Sequence, residues 1–83
     1  MRGRVEMINP LKGFIAVKTE NNDYSVVEVI DSYFPELGAI VLGALDELGG
    51  ETLKCLDDQI EFEVFIQDIY SDYTNAKRML SMY

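Results

Sequence analysis

Carboxylates are the groups in this chain best placed to do chemistry. Asp46-Glu47, Asp57-Asp58 and the pair Glu61 and Glu63 are their local concentrations. Such pairs can hold a divalent cation or divide the roles of acid and base. Glu61 and Glu63 lie two apart, the right parity for one face of a strand. No calcium-loop spacing accompanies any of the pairs, and zinc would find a soft ligand only in Cys55. There is no His, which excludes imidazole acid–base work near neutral pH. Cys55 has no base within reach along the sequence and reads as a buried, inert thiol. Gly49-Gly50 is too short to cradle a phosphate and reads as part of a hairpin loop. The acidic pairs therefore read as solvated turns and a wet strand face. No metal site, no cofactor and no catalytic residue is expected, and the chain is not expected to be an enzyme.

The elements that would position any site belong to one domain, residues 1–83. A chain this short buries only about 60% of its unfolded surface, so its core is small. Apolar residues make up 48% and charged residues 27%, a globular balance rather than a disordered one. Fifteen acids against seven bases give a net charge of −8, a field that repels polyanions. The lone Cys rules out an internal disulfide and fits a reducing compartment. No apolar run approaches the ~20 residues of a membrane span, and no signal-peptide pattern opens the chain. A cytoplasmic location is expected.

Along the chain, period-two alternation dominates. Residues 3–8 set Val5 and Met7 against Arg4 and Glu6. Asn9-Pro10 ends that strand, because proline lacks a ladder donor and disfavours helix before it. Residues 14–19 place Ile15 and Val17 on one face and Phe14, Ala16 and Lys18 on the other; the β-branched pair is the core candidate. Glu20 to Asp23 has turn composition. Residues 24–30 form a third strand rich in β-branched residues. Residues 39–45 read as a buried strand in which Gly43 marks a bulge or a close backbone approach. Residues 46–50 are a hairpin loop, and residues 51–56 return as strand five. Residues 60–70 form the longest strand, with Ile60, Phe62, Val64 and Ile66 on one face and Glu61, Glu63, Phe65 and Ile69 on the other. Asp72 can cap a helix over residues 73–82, with Lys77 and Arg78 placed toward the negative end of its dipole. Tyr73, Ala76, Leu80 and Tyr83 recur at helical spacing. So short a helix is marginal alone in water and must dock.

The opening residues carry a family likeness. Arg2-Gly3-Arg4-Val5 followed by Asn9-Pro10-Leu11-Lys12-Gly13-Phe14 resembles the start of a cold-shock domain. The resemblance covers about residues 2–30 and extends loosely to Leu56. It implies a mainly β fold, a small five-stranded antiparallel β-barrel of the OB type over residues 2–56; residues 57–83 depart from that plan and, by their own patterning, add a C-terminal strand and a short α-helix. It also implies single-stranded RNA or DNA binding on aromatic platforms. The family's first motif, Lys-Gly-Phe-Gly-Phe-Ile, is here Lys12-Gly13-Phe14-Ile15-Ala16-Val17. Its second, Val-Phe-Val-His-Phe, is here Ser25-Val26-Val27-Glu28-Val29. A Lys-Trp-Phe on strand one is here Glu6-Met7-Ile8. Of the usual site, Lys12 and Phe14 remain.

These replacements point one way. Stacking on an aromatic ring contributes about 1–3 kcal/mol per base, and aliphatic side chains offer no π-face. Glu6 and Glu28 add negative charge where phosphates would approach. A strand face turned from aromatic to aliphatic needs a cover, and the tail or another protein would supply it. Two functions follow. The first is a protein-interaction or structural module, with Phe65, Ile69, Tyr73, Leu80 and Tyr83 as candidate contacts to a protein partner or a second copy. The second is single-stranded nucleic-acid binding through Arg2, Arg4, Lys12, Phe14 and Tyr24, expected to be weak or absent. No membrane partner is expected.

Overall fold

The computed structural model describes residues 1–82; Tyr83 lies outside the described residues. Two tight turns shape the first half of the chain. The amides of Lys12 and Gly13 both donate to the Asn9 carbonyl, and Gly13 takes φ +76°. That region is open to glycine at little cost. The strands β1 (Arg2–Asn9) and β2 (Phe14–Thr19) meet across this turn. The next turn puts Asn22 at φ +67°, and the Thr19 hydroxyl donates to the Asp23 carboxylate. Strand β3 (Tyr24–Val29) follows.

After β3 the chain crosses to β4 (Ile40–Leu42), which has only three residues where seven were expected. Gly43 ends it: a Cβ there would run into the Leu53 side chain and crowd the Thr52 carbonyl at 3.2 Å. Strand β5 (Gly49–Cys55) begins earlier than expected, with Gly49 and Gly50 paired to Ile66 and Phe65. The two glycines are thus strand, not hairpin loop. Strand β6 (Ile60–Ser71) is followed at once by α1 (Tyr73–Met82). Asp72 caps the helix, accepting from the Asn75 amide at 2.7 Å. No basic residue lies in the last turn, so Lys77 and Arg78 sit mid-helix, where the dipole has little effect. No helix is long and apolar enough to cross a membrane.

All six strands are antiparallel and close into a barrel in the order β1-β2-β3-β6-β5-β4. This is the small OB-type barrel with a C-terminal helix. The strand at Ile60, expected as an addition to a barrel finished near Leu56, stands between β3 and β5. Without it the wall would be open, because β3 and β5 are not paired to each other. The interior is filled by Val5, Ile15, Val17, Val27, Val41, Leu53, Phe62, Val64 and Ile66, with Cys55 buried among them as a free thiol. Among the described residues every buried polar side-chain atom has a hydrogen-bond partner. Ser25, buried in the wall, donates to the Leu45 carbonyl.

Two expected orientations are reversed by bulges. The β1–β2 register shifts between Val5 and Met7, which turns Met7 to the outer face beside Ala16. The β3–β6 ladder shifts twice around Val26, and Tyr70 takes φ +54°. Ile69 therefore packs against the barrel interior, not on the outer face with Phe65. An extra residue in one strand moves all later side chains to the opposite face.

Candidate interaction surface

The outer face of β1, β2 and β3 is where the family likeness places a binding surface. In this chain it carries Met7, Phe14, Ala16, Tyr24 and Val26, and α1 lies across it. Ala76 and Leu80 are the helix residues pressed into the face. Ala16 and Val26 are fully buried beneath them. Small side chains at those two positions let a helix approach, where aromatic rings would hold it off. The contact is directional at both ends. Near the start of the helix, Asn75 Nδ2 donates to Ser71 Oγ at 2.7 Å and to Asp68 Oδ2 at 3.2 Å. Near its end, Asn9 Nδ2 donates to the Leu80 carbonyl at 2.8 Å, satisfying a group that a helix terminus leaves open. The rings of Tyr24 and Tyr73 meet edge to face, 6.0 Å between centroids. Burial first, then the charge of Glu6 and the neighbouring Tyr73, raises the Tyr24 phenol above its ordinary pKa.

The nucleic-acid candidates are divided by this arrangement. Phe14 is 5% exposed and Tyr24 is 7% exposed, so neither ring presents a face to solvent. Phe14 is thus a hydrophobe on the barrel's outer surface, buried there by α1. Arg2, Arg4 and Lys12 are exposed. Arg4 pairs across the strands with Lys18, which in turn pairs with Tyr24. Lys18 was not among the candidates; its parity with Phe14 and Ala16 was the available signal. Lys12 lies in the turn that precedes β2, beyond the opposite end of that strand. No continuous row of bases runs beside Phe14: Met7 and Ala16 fill the space between.

The protein-contact candidates are also scattered. Phe65 is 43% exposed on β6, between Glu28 and the bare backbone of Gly50. Beside it, Gln67 Nε2 donates to Glu28 Oε1 at 3.0 Å. Tyr73 is half exposed on the other flank of α1, toward β1. Leu80 is buried under the helix, Ile69 faces inward, and Tyr83 lies outside the described residues. Sequence reasoning missed a groove of about 390 Å³ between α1 and β1, floored by Met7 and Ile8 and bounded by Leu37, Tyr73 and Lys77. It is formed by the docking of the helix, which periodicity does not position.

The acidic pairs form no centre. Asp58 accepts a hydrogen bond from the Tyr33 hydroxyl at 2.6 Å, and Asp57 accepts from the Ile40 amide. Glu63 accepts from Thr52 Oγ1. Among the described residues no three His, Cys, Asp or Glu side chains gather where a metal ion could be held.

Fold and surface together define a small closed OB-type barrel whose outer β1–β3 face is covered by its own helix. No protein-family model, no curated protein and no solved structure matches the chain.

Proposed function

We propose that this protein is a non-enzymatic interaction or structural module built on an OB-type barrel, working through protein contacts. The observation that carries the reading is the position of α1. The helix seals Phe14 and Tyr24, the two rings that the cold-shock resemblance offers for base stacking. Large apolar side chains remain accessible: Ile8, Leu37 and Tyr73 along the groove beside it, and Phe65 on β6. The net charge of −8 adds to this, since phosphate binding draws its affinity from cations that release counterions. The cold-shock resemblance of residues 2–30 supports a shared barrel plan with its binding chemistry replaced. Cytoplasmic residence is part of the reading, supported by the unpaired Cys55.

A second reading, single-stranded nucleic-acid binding, is favoured by one observation: Arg4, Lys18 and Tyr24 are successive neighbours across β1, β2 and β3. Glu6 and Glu20 border that cluster, and Glu20 accepts from the Arg2 amide. Fluorescence anisotropy with a labelled oligopyrimidine at physiological salt separates the two readings. The expected affinity is no better than tens of micromolar, on the order of non-specific binding. Sub-micromolar binding that Arg4→Glu and Lys18→Glu each abolish would overturn the protein-contact reading.

A further inference from the structure

The groove between α1 and β1 has an unusual floor. Strand β4 pairs with β1 from Arg2 to Arg4, and the Val5 main chain is met by Ala39 and Gly38. The connection then leaves the sheet, while β1 runs on to Asn9. Its last residues have β2 on one side and no strand on the other. Which groups they turn to the open side follows from the ladder. The Val29 amide donates to the Gly13 carbonyl, so the odd-numbered residues of β2 direct their main chain to β3 and the even-numbered ones to β1. Phe14 and Ala16 therefore exchange hydrogen bonds with their partners Asn9 and Met7. Ile8, between those two, points its N–H and C=O away from β2. Among the described residues no main-chain group meets it there.

We infer that this groove is a strand-addition site, and that its occupant is an extended segment of a partner protein carrying basic residues. The inference rests on the protein-contact reading given above. An exposed strand edge offers main-chain hydrogen bonds that only another extended backbone can satisfy in register. Continuing the line of β4, such a segment would exchange two bonds with Ile8. Its residues on either side of that pair would turn toward the helix, where Tyr73 and Leu37 give an apolar contact. Tyr73, Leu37 and Ile8 are 53%, 61% and 37% exposed, three large apolar residues around one opening. Charge decides against a second copy. Two chains of −8 would be brought together, and that like-charge repulsion opposes self-pairing. A basic segment is attracted by the same field, with Glu6 at the groove wall and Lys77 opposing it.

The probe is a phage-displayed library of short random peptides, selected on the full chain and followed by titration of the synthetic winners. Amide exchange and chemical shifts then locate them. In the free protein the Ile8 amide should exchange quickly, while those of Met7 and Asn9 are protected; bound peptide should protect Ile8. N-methylating the peptide one residue at a time should weaken binding about tenfold where the lost N–H faced Ile8. The adjacent residues, whose amides face solvent, should be unaffected. Selected peptides should be basic, Glu6→Lys should weaken them and Lys77→Glu should strengthen them. Protection of Ile8 in the free chain, dimerisation through β1 in sedimentation, or failure to select any peptide would overturn the inference. Peptides that bind but perturb Phe65 instead of Ile8 would also overturn it, while leaving the protein-contact reading intact. Sub-micromolar oligopyrimidine binding would remove both.

Discussion

Phe62 fills the centre of the barrel at 1% exposure and packs against the Tyr33 ring, 5.2 Å between centroids. Phe62→Ala is expected to lower stability by about 3–5 kcal/mol, read from urea denaturation, because the cavity it leaves is walled by paired strands. Arg78→Ala, on the exposed side of α1, is expected to change it by about 0.5 kcal/mol or less. Two tyrosines set the alkaline limit. Burial and the hydrogen bond to Asp58 push the Tyr33 phenol well above its ordinary pKa, and burial also raises that of Tyr24. A phenol whose folded pKa is raised keeps its full contribution below the unfolded value, near pH 10, and loses it as the pH climbs through the folded value. Urea midpoints should therefore hold steady to about pH 10 and then fall. Tyr24→Phe should fall less steeply over that window. Single-residue parity was legible where strands are regular: Ile15 and Val17 face inward as alternation requires. It failed at Met7 and Ile69, since a bulge depends on how the partner strand fits and leaves no mark in the alternation of its own.

Each strand and the helix could be anticipated from patterning, but two of their partnerships could not. The stop at Asn9-Pro10, the turn at Asn21-Asn22 and the Asp72 cap are local chemistry, and they lie in the sequence for that reason. That β6 closes the wall depends on which edges remain unpaired after β1 to β5 are placed, a question of tertiary fit. It has a direct consequence for truncation. A chain ending at Leu56 lacks β6 and leaves one edge of β3 and one edge of β5 open, so it is expected to be unfolded or aggregated. A chain ending at Ser71 keeps all six strands but uncovers Phe14, Ala16, Tyr24 and Val26. It is expected to keep β-sheet circular dichroism, to melt at a lower temperature and to bind the dye ANS. Cooperative unfolding of the 1–56 fragment at the full-length midpoint would contradict the role given to β6.

At the scale of the whole molecule, one sequence builds two apolar layers, one inside the barrel and one between β1–β3 and α1. The second layer accounts for the functional reading. A cover was legible from the aliphatic replacements at Ala16 and Val26 together with a tail too apolar to stay in water. Its placement, and the groove that placement creates beside Ile8, were not, because they depend on the contacts of Asn9 and Asn75 with helix and sheet. If α1 belongs to the same cooperative fold as the barrel, the surface that resembles a nucleic-acid platform is an internal interface. Native-state hydrogen exchange tests this most directly. The helical amides from Lys77 to Leu80 should exchange only through openings close to the global unfolding free energy, alongside those of Val17 and Val27. Rapid exchange of the helix while β2 and β3 stay protected would show a cover that lifts from a folded barrel, and would contradict the closed-face account.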